Sequence, residues 1–276
     1  MAEFQNYING KFVAGGAGRI EVTNPANGQT VGEQALADAG DVDKAVAAAK
    51  ALHVSGKFSA LRPVERGRMV QKMGQYILQH KDKLAELLSL EQGKPLWESH
   101  IEIEGAARYF EYYGNQAETV EGRSIPLGQG YFDFTIYEPF GVSAQIIPWN
   151  YPIEMTARSL SAALATGNAC VIKSPELTPL THYIFAEAAE AAGLPEGAVN
   201  ILCGLGHDAR SSLQDLLPQV LQSPQPRQKM LCLVFWNWAA NQLPLFMMML
   251  ICRLLNLTCA GAYFSMQAKS ALRCHG

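Results

Sequence analysis

From Val142 onward, three short apolar runs are separated by segments of helix length. VSAQIIP (142–148) is followed by a helical stretch from Ile153 to Ala165. ACVIK (169–173) is followed by one from Thr178 to Ala192, and Ala198–Cys203 closes the series. VSAQIIP is strand-like, and ACVIK reads as a short buried strand. Strands that alternate with helices at this spacing imply a parallel sheet with right-handed crossovers. Gly167-Asn168 supplies the left-handed stop between the first helix and the second strand. In such sheets ligands sit beyond the carboxyl ends of the strands. Three segments fall there: IIPWNYP (146–152), KSPE (173–176) and GLGHDA (204–209).

Upstream the pattern differs. NYINGKFV and NPANGQTVGE carry Asn-Gly hairpin signals at Asn9-Gly10 and Asn27-Gly28. Asp41 fits a helix N-cap before VDKAVAAAKAL. Pro63 starts a second helix that runs through VERGRMVQKMGQYILQHKDKLAELLSLEQ, with an apolar face made by Met69, Met73, Tyr76 and Ile77, then by Leu84, Leu87 and Leu88. After the Gly93-Lys94-Pro95 break a third helix is expected from about Leu96 to about Val120. GYFDFTIYEPFGV alternates, with Phe132, Phe134 and Ile136 on one face, and predicts a strand over 130–137.

Composition sets outer limits. A chain of 276 residues that is 49% hydrophobic can build a substantial core. A formal net charge of −3 with no Lys/Arg stripe argues against a nucleic-acid surface. MAEFQNYING lacks the basic start and apolar run of a signal peptide, so a cytoplasmic protein with reduced cysteines is expected. Cys232, Cys252, Cys259 and Cys274 match neither a zinc site nor a CxxC pair. Cys170 and Cys203 fall at apolar strand positions and read as small buried hydrophobes.

At the strand ends, Asn150 lies in a turn fixed between Pro148 and Pro152. Its NH2 donor can stabilise a developing oxyanion without adding a charge. The plain alternative is an asparagine that closes the turn on its own backbone. Lys173 and Glu176, three apart, can both reach one polar group such as a ribose diol. The alternative is a solvated surface pair worth about 0–1 kcal/mol. GLG is a weak phosphate-cradle signal, and His207 suits an exposed helix start better than a catalytic base.

IIPWNYP, TGNACVIKSPE and GLPEGAVNILCGLG, in this order and spacing, resemble the NAD(P)-dependent aldehyde dehydrogenase superfamily. EQGKP (91–95) and the helices before it resemble its N-terminal region, and the similarity runs from about Tyr7 to about Ala209. The resemblance implies an α/β fold: a helical N-terminal region joined to an incomplete parallel-sheet, Rossmann-like cofactor domain (1–209) that lacks GxGxxG. It also implies an aldehyde substrate, NAD as cofactor with NADP possible, and homo-oligomers built around an arm strand such as 130–137. Carried over by position, Asn150 resembles the oxyanion asparagine. Lys173 and Glu176, in Lys173-Ser174-Pro175-Glu176, resemble the adenosine-ribose pair, Ile146, Ile147, Pro148 and Trp149 the nicotinamide side, and Gly206 a position near the adenine. Glu176 favours NAD, since a carboxylate repels a 2′-phosphate. Met155, Arg158 and Ser159, on the helix after Asn150, are expected to line the substrate tunnel.

The family uses a cysteine thiolate to attack the aldehyde and a glutamate to help hydrolyse the thioester. The resemblance places the glutamate in ELGGK and the cysteine in GQ-x-C, and neither motif occurs in this chain. The genetic code offers an explanation. In a frame that takes the last base of each codon and the first two of the next, Phe235-Trp236 forces Leu, Trp236-Asn237 forces Glu, Asn237-Trp238 forces Leu and Trp238-Ala239 forces Gly. FWNWA thus becomes LELG without free choice, and AANQ permits GKS. AYFSMQAKSALRCHG (262–276) permits VFFNAGQVCSAMSR. Residues 210–276 are therefore expected to be an irregular, out-of-frame tail, and the chain catalytically dead.

Two other functional classes stay open. One is a remnant that binds cofactor or co-assembles with an intact homologue. The other is a membrane-anchored protein, since Met230–Cys252 is uncharged and long enough to span. Asn237, Asn241, Gln242 and Pro244 near its centre weaken that reading, and no membrane partner is expected. β-prone windows such as MLCLVFW invite association instead.

Overall fold

The computed structural model describes residues 2–204 and the segment 232–235. Strands β1 (Ala2–Phe4), β2 (Asn6–Ile8), β3 (Lys11–Val13), β4 (Arg19–Thr23) and β5 (Thr30–Ala35) open the chain. Both Asn-Gly signals are turns. Asn9 (φ 51°) and Gly10 (φ 77°) join β2 to β3 with two left-handed residues, as a type I′ hairpin requires. Gly28 (φ 70°) turns β4 into β5.

Four helices follow: α1 (Ala39–Ser55), α2 (Pro63–Gln79), α3 (Lys81–Gln92) and α4 (Leu96–Gln116). The cap of α1 is one turn earlier than expected. Asp38 is the N-cap, accepting from Asp41 N at 2.8 Å, and Asp41 is the reciprocal partner of a capping box, also accepting from Gly16 N at 2.8 Å. The long second helix is two helices, broken at His80. There the ring Nδ1 lies 2.9 Å from Tyr76 O, the carbonyl a continuing helix would bond to the His80 amide. That amide bonds Ile77 O instead, at 3.2 Å. The break lets Ile77 on α2 and Leu84 and Leu88 on α3 all be buried. The third expected helix ends at Gln116 and continues as a 3-10 turn, Ala117–Thr119.

The strand expected over 130–137 is much shorter. Only β7 (Asp133–Phe134) pairs, antiparallel with β6 (Ser124–Ile125). Phe132 is 96% exposed, and Phe134 and Ile136 are both 68% exposed. Alternation alone does not extend a strand whose apolar side has no layer to pack against.

The central sheet comprises β8 (Val142–Ile146), β9 (Ala169–Ser174), β10 (Val199–Cys203) and β11 (Cys232–Phe235), joined in part by α5 (Pro152–Ala165) and α6 (Tyr183–Ala192). Its order is β11-β8-β9-β10-β2-β3. The first four strands are parallel, and β2 and β3 add antiparallel at the far flank. The helix expected from Thr178 is a 3-10 turn (Leu180–His182) followed by α6. β9 and β10 are buried throughout. Helix α1 packs on β8, β9 and β10, α5 packs on β8 and β9, and α2 and α4 lie against α6 and α5. Strand order grows from β8 through β10, and β11 then adds on the opposite side of β8. This makes the β8/β11 boundary a topological switch point. Strand β11 lies within the segment expected to be irregular; the rest of 205–276 is outside the described residues.

Candidate functional site

The β8–α5 turn is anchored from two directions. On the sheet side, Ile147 N donates to Lys173 O at 3.1 Å, and Thr178 Oγ1 donates to Trp149 O at 3.3 Å. These bonds bring the 146–150 and 173–178 segments together at one edge. On the helical side, the Asn150 carbonyl accepts from Gln92 Nε2 at 3.1 Å and from Lys94 Nζ at 3.2 Å. The half-buried Asn150 side chain forms no hydrogen bond with any described residue, so it does not close its own turn. Ile147 is buried, Ile146 and Pro148 are half-buried, and Trp149 is exposed.

Lys94 also pairs with Glu102 of α4, and both side chains are buried. The other Glu102 oxygen accepts from Ile153 N at 2.9 Å and Glu154 N at 3.2 Å, the first free amides of α5. Burial pushes the Glu102 carboxyl up, against the pull of Lys94 and these amides. A helix start at a switch point is the usual place for a dinucleotide pyrophosphate. Here a carboxylate already fills it, and the turn before it (IIPWNYP) has no glycine to let a phosphate approach. The α5 terminus therefore does not suit the phosphates of a dinucleotide.

At the end of β9, Lys173 and Glu176 form an ion pair in which Lys173 is buried and Glu176 is 37% exposed. A solvated surface pair does not describe Lys173. Burial raises the Glu176 carboxyl, but the Lys173 hydrogen bond and charge, with a backbone amide, hold it below the usual range. Ser174 Oγ donates to Leu202 O at 3.2 Å, and Pro175 is buried, so the strand end is rigid behind the pair. Met155, Arg158 and Ser159 are half-buried along α5, and Ser159 Oγ donates to Gln145 Oε1 at 2.8 Å. Gly206 and His207 lie outside the described residues.

Cys170 and Cys203 are buried and poorly suited to act as nucleophiles. Burial pushes the Cys203 thiol up to about 11 and the Cys170 thiol higher still. Buried His182, whose Nε2 lies 3.0 Å from Thr156 Oγ1, is driven down to about 3 by burial and by Lys173.

The sequence reading missed Gln92, Lys94 and Glu102 as individual residues, along with Glu91. A signal was present. Glu102 precedes Ala106 and Phe110 at four-residue steps on one buried stripe, and Glu91 follows Leu84 and Leu88 on another. A carboxylate on an apolar stripe needs a partner.

An open α/β sheet with polar turns at its carboxyl edge is the class of fold that takes ligands beyond its strand ends, at a topological switch point. The chain belongs to the aldehyde dehydrogenase family, which it matches over residues 12–215. Members of that family are NAD(P)-dependent oxidoreductases. The chain is 38% identical to retinal dehydrogenase 2 of Homo sapiens over 210 residues, covering 75% of the chain and 40% of that protein. It is 38% identical to an aldehyde dehydrogenase of Aspergillus niger over 208 residues, covering 75% of the chain and 42% of that protein. PnpE of Pseudomonas sp. WBC-3, solved in complex with nicotinamide adenine dinucleotide, superimposes with a TM-score of 0.75 at 39% identity, over 78% of the chain and 44% of PnpE. The chain thus spans less than half the length of these relatives. Among the described residues no helix is long and apolar enough to cross a membrane.

Proposed function

We propose that the gene belongs to an oxidoreductase that converts an aldehyde to a carboxylic acid with NAD(P)+ through a cysteine thioester. In this chain the segment 210–276 is out of frame, so the nucleophile and the general base are missing and the protein does not turn over. The observation that carries this is the forced rewriting of Phe235–Ala239 as Leu-Glu-Leu-Gly. The sheet supports it independently. The shifted glutamate codon straddles Trp236-Asn237, directly after the last residue of β11. Phe235 pairs with Ile146 and so stands beside the Asn150 turn, where a base for the thioester would be needed. A strand can still form from shifted codons, because ladder hydrogen bonds are made by backbone and do not read side chains.

In this reading Asn150 is the oxyanion donor. Ile146, Ile147, Pro148 and Trp149 flank the nicotinamide, which accepts a hydride when bound. Lys173 and Glu176 hold the adenosine ribose. Glu176 favours NAD over NADP, Gly206 lies near the adenine, and Met155, Arg158 and Ser159 line the aldehyde's path. The free thiols Cys170 and Cys203 suit a cytoplasmic setting. The test is to sequence the encoding DNA and to assay aldehyde-dependent NADH formation before and after the frame is restored. The expected outcome is LELG codons in the shifted frame, no turnover by the chain as it stands and turnover once restored. Aldehyde oxidation by the unaltered chain, free of host enzyme, refutes the reading.

A second role is open to such a chain: weak cofactor binding, or co-assembly with an intact homologue through the 130–137 arm. The exposed Phe132, Phe134 and Ile136 favour it.

A further inference from the structure

We infer that Lys94 is a positioning residue for Asn150. The inference rests on the reading of Asn150 as the oxyanion donor, but its geometry is independent of that role. A donor that stabilises developing charge must be fixed before the charge appears. The turn that carries Asn150 contains no helix or strand of its own, so its rigidity has to come from outside.

Lys94 supplies it at one point. Its ammonium donates to the Asn150 carbonyl at 3.2 Å, pairs with Glu102 and lies 4.0 Å above the centroid of the Tyr151 ring. The neighbours of Asn150 are thus held as well. Tyr151 is gripped through its ring, and the α5 start at Ile153 and Glu154 is gripped through the Glu102 carboxylate that Lys94 neutralises. Gly93, left-handed at φ 85°, and Pro95, before the first residue of α4, direct the lysine inward. With the Asn150 carbonyl held by Lys94 and Gln92, its side-chain amide has no described partner and is left to act on something else.

The obvious variant, Lys94→Met, leaves Glu102 as a lone buried charge and can fail to fold. The double variant Lys94→Met/Glu102→Gln removes that charge and keeps an acceptor for the α5 amides. Asparagine precedes tyrosine only at Asn6-Tyr7 and Asn150-Tyr151. The full-length chain labelled with [13C,15N]asparagine and [15N]tyrosine therefore gives two carbonyl-to-amide correlations, assigned with Asn150→Asp. In the double variant the Asn150 carbonyl signal should move upfield and its side-chain amide pair should shift or broaden, while the Asn6-Tyr7 signal stays in place. Asn150 signals that coincide with those of the unaltered chain would overturn the inference. So would equal movement of both dipeptide signals, which would make Lys94 a general support of the fold. Because the readout is a resonance, it stands apart from the oxyanion role. That role fails separately if Asn150→Ala in the frame-restored protein keeps full turnover.

Discussion

Two buried glutamates do the same work at neighbouring places with different chemistry. Glu102 of α4 caps the start of α5 after the first strand-end turn. Glu91 of α3 caps the 3-10 turn after the second, accepting from Leu180 N at 2.7 Å, Thr181 N at 3.2 Å and Thr181 Oγ1 at 2.5 Å. Each is carried by the N-terminal helical layer and each fixes a turn of the sheet. Glu102 has a cation, Lys94; the groups that pull the Glu91 carboxyl down are neutral donors. Burial outweighs those donors and pushes Glu91 up to about 7. The turn that carries Asn150 is thus held by a lysine–glutamate pair, and the turn that follows Lys173 and Glu176 by a carboxyl that can take a proton near neutrality. The helical layer is part of the site, since it holds the turns from which the site is made.

The strongest way to break this comparison is Glu102→Ala. It leaves Lys94 buried without its counter-ion and uncaps α5, and should cost about 3–5 kcal/mol, read as a lower urea midpoint. A loss below about 1 kcal/mol would mean that water reaches Lys94 and that the pair is no clamp.

A weaker effect is expected at Glu91, and its sign follows from proton linkage. The folded-state value of about 7 lies above the ordinary 4.5, so the folded state binds the proton more tightly. The stabilisation is fully present below about 4.5 and is lost as pH rises toward about 7. Urea midpoints at the two ends of that window should fall with a slope of at most about 1.4 kcal/mol per pH unit. Glu91→Gln should flatten the profile, although it keeps one acceptor oxygen at this turn where the carboxylate offers two. An unchanged slope in that variant would assign the titration elsewhere, with Glu102, also raised by burial, the next group to test.

The two caps also mark where local sequence stops being informative. β9 and β10 were legible because a strand buried on both faces is mostly apolar, β8 because it stands one helix length before β9, and Gly167 marks the turn between α5 and β9. Asn150, Lys173 and Glu176 were legible as residues at strand ends for the same reason. The break at His80 was hidden because it depends on an imidazole capturing one carbonyl while the apolar spacing continues across it. The arm was over-read because Phe132, Phe134 and Ile136 alternate like a half-buried strand but have nothing to lie on. Glu102 meets Ile153 across 51 residues and Glu91 meets Leu180 across 89, distances at which no spacing rule pairs a carboxylate with an amide. The glutamates were visible only as charges on buried stripes, which says that a partner exists without saying which.

The smallest stability effect should come from the other ion pair at the site. Water reaches Glu176, and glutamine keeps an oxygen that can accept from the buried Lys173, so Glu176→Gln should change the unfolding free energy by no more than about 1 kcal/mol. If Glu176 holds a ribose hydroxyl, the same variant should weaken NAD binding by about tenfold or more, the usual loss of a hydrogen bond to a charged group, in a calorimetric titration of the full chain. A substitution that costs little in folding and much in binding would separate recognition at this turn from scaffolding at Glu102. If NAD affinity is unchanged, Glu176 only neutralises the buried Lys173, and both turns of the edge are then structural.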